Sequence, residues 1–72
     1  PLAQRCDTAV RQFEVNAAHK GEKIACLEAR RHYAWYLKGV PYAGYYKEQI
    51  SQISTMEDIY RITAGIKRDL QD

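Results

Sequence analysis

Seventy-two residues make one domain at most, and a chain that is 46% apolar and 28% charged is neither disordered nor of low complexity. Formal net charge is +2. No apolar run approaches the ~20 residues of a membrane span, and no signal peptide opens the chain.

Residues 2–19 contain no Gly or Pro, and their apolar positions, Leu2, Cys6, Ala9, Val10, Phe13 and Ala17, form one stripe of an amphipathic helix. Gly21 is expected to end it through a left-handed backbone. A second helix is expected over residues 22–37. Glu22 suits its positive end and Lys38 its negative end, with Gly39 and Pro41 as the stop. Its apolar residues split into Ile24 and Trp35 on one side and Ala25, Ala29, Tyr33 and Tyr36 on another. That spread predicts a central core helix, with Trp35 as an anchor and Tyr33 and Tyr36 half-buried with their hydroxyls partnered.

A third, short helix is expected over residues 42–50, weakened by Gly44 by about 1 kcal/mol relative to alanine. It carries the cluster Tyr42, Tyr45 and Tyr46 and buries Ala43, Tyr46, Ile50 and Ile53. The fourth opens on a capping box, Ser54 paired with Glu57. Met56, Ile59, Tyr60, Thr63, Ile66 and Leu70 follow at helical spacing, with Gly65 as an interruption. No strand-like alternation and no repeat appears. The fold class is therefore all-α, a small four-helix up-and-down bundle, as a single domain over residues 1–72.

Cys6 and Cys26 lack CxxC spacing and lie in no His/Cys cluster. A small secreted scaffold carries four or more cysteines, so two buried free thiols in a reducing cytoplasm are expected, with one inter-helix disulfide as the alternative. No phosphate-binding glycine loop, zinc motif, nucleophile–base pair or carboxylate pair is present, so this chain by itself is not expected to be an enzyme. No metal site is expected.

Charge is unevenly distributed. Residues 1–47 carry eight Lys and Arg against four Asp and Glu, a net of +4; residues 48–72 carry three against five, a net of −2. On a helical wheel Lys23, Arg30, Arg31 and Lys38 share one sector roughly 100° wide. A row of cations along a helix can follow a phosphate backbone, and arginine grips phosphate bidentately. His32 and Tyr36, four residues apart on a neighbouring face, can stack on unpaired bases. Lys20 and Lys23 flank the helix junction at Gly21. Arg31 has Glu28, or an acid on the fourth helix, as an alternative partner. The candidate RNA-binding residues are thus Lys20, Lys23, Arg30, Arg31, His32, Tyr36 and Lys38. An independent helix–turn–helix DNA reader is disfavoured, because the second helix is too apolar to lie in a groove.

The run Glu28-Ala29-Arg30-Arg31-His32, followed by Ala34-Trp35-Tyr36-Leu37-Lys38-Gly39-Val40-Pro41, resembles the C-terminal signature of bacterial tRNA-dihydrouridine synthases. Gly21-Glu22 matches the Gly-Glu pair that precedes it in that family. Ile50-Ser51-Gln52 and Ser54-Thr55-Met56-Glu57-Asp58 resemble the later Ile-Asn stretch and helix start. Ala29 stands where Met is common and Arg31 where Lys is common. The tyrosine cluster 42–46 is more aromatic than the family pattern.

The resemblance covers roughly residues 8–66 and implies a piece of a longer, cytoplasmic protein, an expectation that Pro1 in place of an initiating Met matches. An FMN-binding TIM barrel that also uses NAD(P)H would precede this domain and reduce uridine to dihydrouridine. This domain would hold no cofactor itself. It would grip tRNA and pack on its own barrel. Neither Cys6 nor Cys26 lies in a motif matching the family's catalytic cysteine. The alternative reading is a structural or protein-interaction module.

Overall fold

The computed structural model describes residues 1–70; Gln71 and Asp72, part of the domain expected over residues 1–72, lie outside the described residues. Nothing between Pro1 and Gly21 interrupts helix α1 (Leu2–Lys20), and its stripe buries Leu2, Cys6, Ala9 and Phe13, as the spacing predicts. Nineteen residues at 1.5 Å each make it about 28 Å long. The long axis of the molecule is 32 Å, so α1 sets its length.

Gly21 has φ 91° and ψ 152°, a conformation essentially reserved for glycine. It is an extended corner, where a left-handed stop was expected. Its N–H donates to the Ala17 carbonyl at 3.0 Å, and its own carbonyl accepts from the Ala25 N–H at 3.1 Å. One residue thus closes α1 and opens α2 (Glu22–Tyr36).

Helix α2 buries Ala25, Cys26, Ala29 and Tyr33, and Leu37 continues the stripe just past its end. Three of these are small, which lets the two backbones approach closely. The helices run in opposite directions: Lys20 meets Glu28 near the corner, and the rings of Phe13 and Tyr33 meet further along at 5.5 Å. The expectation of a central helix is corrected. Ile24, Leu27 and Trp35 are 52%, 51% and 72% exposed, so α2 has a solvent face, and Trp35 is no core anchor. The small residues lie in the buried stripe with Tyr33 and Leu37, and Ile24, Leu27 and Trp35 opposite are left outside. Tyr33 is fully buried and Tyr36 half-buried.

Helix α3 (Gly44–Ile50) begins two residues later than expected. Tyr42, with φ 63°, lies in the preceding turn and is 94% exposed. Ala43, Tyr46, Ile50 and Ile53 are buried, as expected.

Helix α4 (Met56–Asp69) does start on a capping box, displaced by one residue from the expected Ser54–Glu57 pair. Thr55 is the cap: its hydroxyl accepts from the Asp58 N–H at 3.1 Å. The Asp58 carboxylate accepts from the Ser54 N–H, the Ser54 hydroxyl and the Thr55 N–H. These three donors converge on Oδ2 of Asp58, while Arg61 donates to Oδ1; Glu57 faces solvent. Ile59, Ile62, Thr63 and Ile66 face the core. Tyr60, expected on the buried stripe, is 46% exposed and donates its hydroxyl to Glu14 at 2.7 Å; Ile62 takes the core position.

Contacts Glu14–Tyr60 and Asp7–Lys67 run α4 antiparallel to α1. The Tyr33–Thr63 bond, with Glu22 accepting from the Met56 N–H at 2.7 Å, runs it parallel to α2. The fold is an all-α helical bundle, with no strand among the described residues.

At Gly65 the Tyr46 ring of α3 seats directly on the backbone of α4. A Cβ there would lie 2.8 Å from Cε1 of Tyr46, whose hydroxyl donates to Asp69. Gly65→Ala gains helix propensity worth about 1 kcal/mol but displaces a buried ring at a cost of about 1–3 kcal/mol. Urea unfolding is expected to show net destabilisation in the native chain. In a Tyr46→Ala background, where the ring is gone, the same substitution is expected to stabilise.

Acid titration tests the cap. Hydrogen bonds from Ser54, with Arg61 beside it, hold the Asp58 carboxyl well below the usual carboxylate range. A depressed folded pKa contributes stability that is fully present above the unfolded value, near 3.9, and is lost as pH falls through the folded one. Asp58→Asn is therefore expected to flatten the fall in melting temperature below about pH 4.

Candidate nucleic-acid interface

The solvent face of α2 is the face its packing leaves over. Lys23 and Arg31 lie on it, exposed, and make no hydrogen bond or ion pair with any described residue. Lys38 is also exposed with its ammonium free of described partners, but it lies beyond the helix. Residues 37–39 form a turn, held by the Lys38 N–H donating to the Trp35 carbonyl at 3.1 Å. The helical wheel that grouped Lys38 with the others does not extend to it.

Two of the expected cations have structural partners. Lys20 closes the α1–α2 corner by pairing with Glu28 at 3.2 Å. Glu28 is therefore engaged by Lys20, and Arg31 is left without it. Arg30 turns inward, half-buried, and its Nε donates to the Ile53 carbonyl at 2.7 Å. It clamps the loop between α3 and α4 onto α2. The expected row of four along the helix thus resolves into two cations on α2 and a third past its end without a partner among the described residues, and one structural arginine.

Around the free cations stand apolar and aromatic groups. Ile24, Leu27, Glu28, Arg31 and His32 line a shallow recess of about 290 Å³. The Trp35 ring stands out beside it and meets Tyr36 edge-on, with centroids 6.4 Å apart. Tyr36 bonds no described residue through its hydroxyl. His32 also lines a second recess, of about 220 Å³, together with Tyr36 and with Ala9, Gln12, Phe13 and Asn16 of α1. Gln12 and Asn16 were not singled out in the sequence. Their signal is an i, i+4 amide pair facing the i, i+4 pair His32–Tyr36 across an antiparallel hairpin, visible only once the hairpin register is known.

The buried groups offer little reactivity. Cys6 and Cys26 are both free and buried, and burial pushes both thiols up, leaving little thiolate at neutral pH. Among the described residues no three His, Cys, Asp or Glu side chains cluster as metal ligands, and no helix is long and apolar enough to cross a membrane. Comparison with family models, curated proteins and solved structures finds no match to this chain.

The two neighbouring arginines are expected to separate in a stability measurement. Arg30→Ala leaves the Ile53 carbonyl without its charged donor and is expected to cost about 1.5–3 kcal/mol. Arg31→Ala is expected to stay within about 0.5 kcal/mol, as for an unpartnered surface residue. Chemical denaturation of the two single variants checks this.

Proposed function

We propose that this chain is an RNA-binding helical domain, the tRNA-gripping C-terminal part of a tRNA-dihydrouridine synthase. The observation that carries the RNA-binding reading is the solvent face of α2. There Arg31, with no partner among the described residues, lies one helical turn from a tryptophan that is 72% exposed, and Lys23 extends the charge toward the start of the helix. Unpaired Lys and Arg bind phosphates without first breaking an internal ion pair, and aromatic rings beside them stack on splayed bases. The identity of the parent enzyme rests on the sequence resemblance of residues 28–41. FMN, NAD(P)H and the reduction of uridine belong in this reading to the barrel. The domain contributes grip: a uridine must leave its stack to reach a flavin, and extrusion needs a firmly held RNA.

Ile24 and Leu27, half-exposed on the same face, favour a second reading, a module that packs on a protein surface such as its own barrel.

Titration of the chain with unmodified tRNA across a salt series, with duplex DNA as the control, tests the proposal. Three phosphate contacts, from Lys23, Arg31 and Lys38, give an expected log–log salt slope of about −2 to −3, and Arg31→Ala is expected to reduce it by about 1. Binding with no salt dependence, or a slope unchanged in Arg31→Ala, removes this face from the interface. No RNA binding at low salt favours the protein-packing reading.

A further inference from the structure

The recess between α1 and α2 is built differently from the charged face beside it. Its floor is apolar, from Ala9 and Phe13, both buried. One wall is aromatic, from His32 and Tyr36. The opposite rim is made of two carboxamides, and Gln12 Nε2 donates to Asn16 Oδ1 at 3.0 Å. That bond holds the two amides in a defined arrangement. Gln12 keeps its carbonyl oxygen and one N–H, and Asn16 keeps both of its N–H donors. Among the described residues no carboxylate lines the recess.

An apolar floor, π-faces and amide groups are what a planar heterocycle with donors and acceptors on its edge requires. At about 220 Å³ the recess holds on the order of seven waters at ~30 Å³ each, room for one flat ring system. Its position adds the second argument. His32 lines this recess and the neighbouring one that contains Arg31. Tyr36 is braced edge-on by the exposed Trp35. A strand whose phosphate sits on Arg31 therefore has its base one side chain away from the recess.

We propose that the recess formed by Gln12 and Asn16 of α1 with His32 and Tyr36 of α2 takes a single unpaired nucleobase of bound RNA. The ring slots between the aromatic wall and the amide rim, over Ala9 and Phe13, and the amides hydrogen-bond its edge. The phosphate on the α2 face supplies sequence-independent grip, and the recess distinguishes unpaired from paired RNA, because a base inside a duplex cannot enter it. The proposal rests on the RNA-binding reading above and adds to it a preference for looped RNA.

The experiment uses RNA hairpins that share one stem. One has an intact loop, one has abasic loop positions, and one carries a fluorescent adenine analogue in the loop. Removing the loop bases is expected to weaken binding to the native chain about tenfold, within the range for losing one base stack. The fluorescent base is expected to be quenched on binding. In Tyr36→Ala, and independently in Gln12→Ala at an exposed position that leaves the core intact, intact and abasic loops are expected to bind with closer affinities and quenching is expected to fall. Circular dichroism confirms that both variants are folded.

Equal affinity of the native chain for intact and abasic loops, with salt-dependent RNA binding retained, overturns the nucleobase recess and leaves RNA binding standing. An abasic penalty that both folded variants keep in full also overturns it. Loss of all RNA binding by the native chain overturns both readings together.

Discussion

Tyr33 is the point on which the bundle depends. Its ring comes from α2, lies against Phe13 of α1 and is completely buried. Its hydroxyl forms a buried hydrogen bond with Thr63 of α4, beside the Cys6 thiol of α1. A buried hydroxyl without a partner costs far more than the bond itself returns, so this pair fixes the three helices in one register. Burial pushes the Tyr33 hydroxyl well above its usual range, and either hydroxyl of the Tyr33–Thr63 pair can be the donor. No buried side-chain polar atom among the described residues lacks a hydrogen bond, consistent with a core that has a single solution.

The character of the surface follows from this core. Ala25, Cys26 and Ala29 let α1 and α2 approach closely, and the price is that the large residues of α2 on the opposite side have nothing to pack against. Ile24, Leu27 and Trp35 stand in solvent for that reason. The cations divide by the same logic. Lys20 and Arg30 lie where Glu28 and the Ile53 carbonyl are within reach, and they hold the corner and the loop. Lys23, Arg31 and Lys38 have no such neighbours among the described residues, so their charge is available to something outside the domain.

Helix ends are secured by groups from elsewhere in the chain as well as by local caps. Glu22, whose position suggested only a favourable interaction with its own helix dipole, also reaches the first N–H of α4. Gly65, which looked like a weakness in the periodic pattern of α4, is the seat of the Tyr46 ring. In a domain of this size such cross-links matter, because the core alone is small.

Periodicity along the chain determined that there are four helices, where three of them start to within a residue, and most of the residues of α1 and α4 that face inward; Val10 and Ala17 are only half-buried, Tyr60 is exposed, and Ile62 was not on the expected stripe. These are properties of local spacing, and local spacing is written in the sequence. The motif Arg30-Arg31-His32 and the aromatic run after it were equally legible as candidates. What the tertiary structure decided is which candidates are free to act. Adjacent arginines differ because one points at a carbonyl brought in from residue 53 and the other at solvent. Trp35 is exposed because the small side of α2 faces α1, a choice that helical spacing within α2 leaves open. The recess of Gln12, Asn16, His32 and Tyr36 exists only in the register that the glycine corner and the Tyr33–Thr63 bond impose. Groups twenty or more residues apart become neighbours through packing, and the energy that chooses the packing belongs to the whole core and to no single segment.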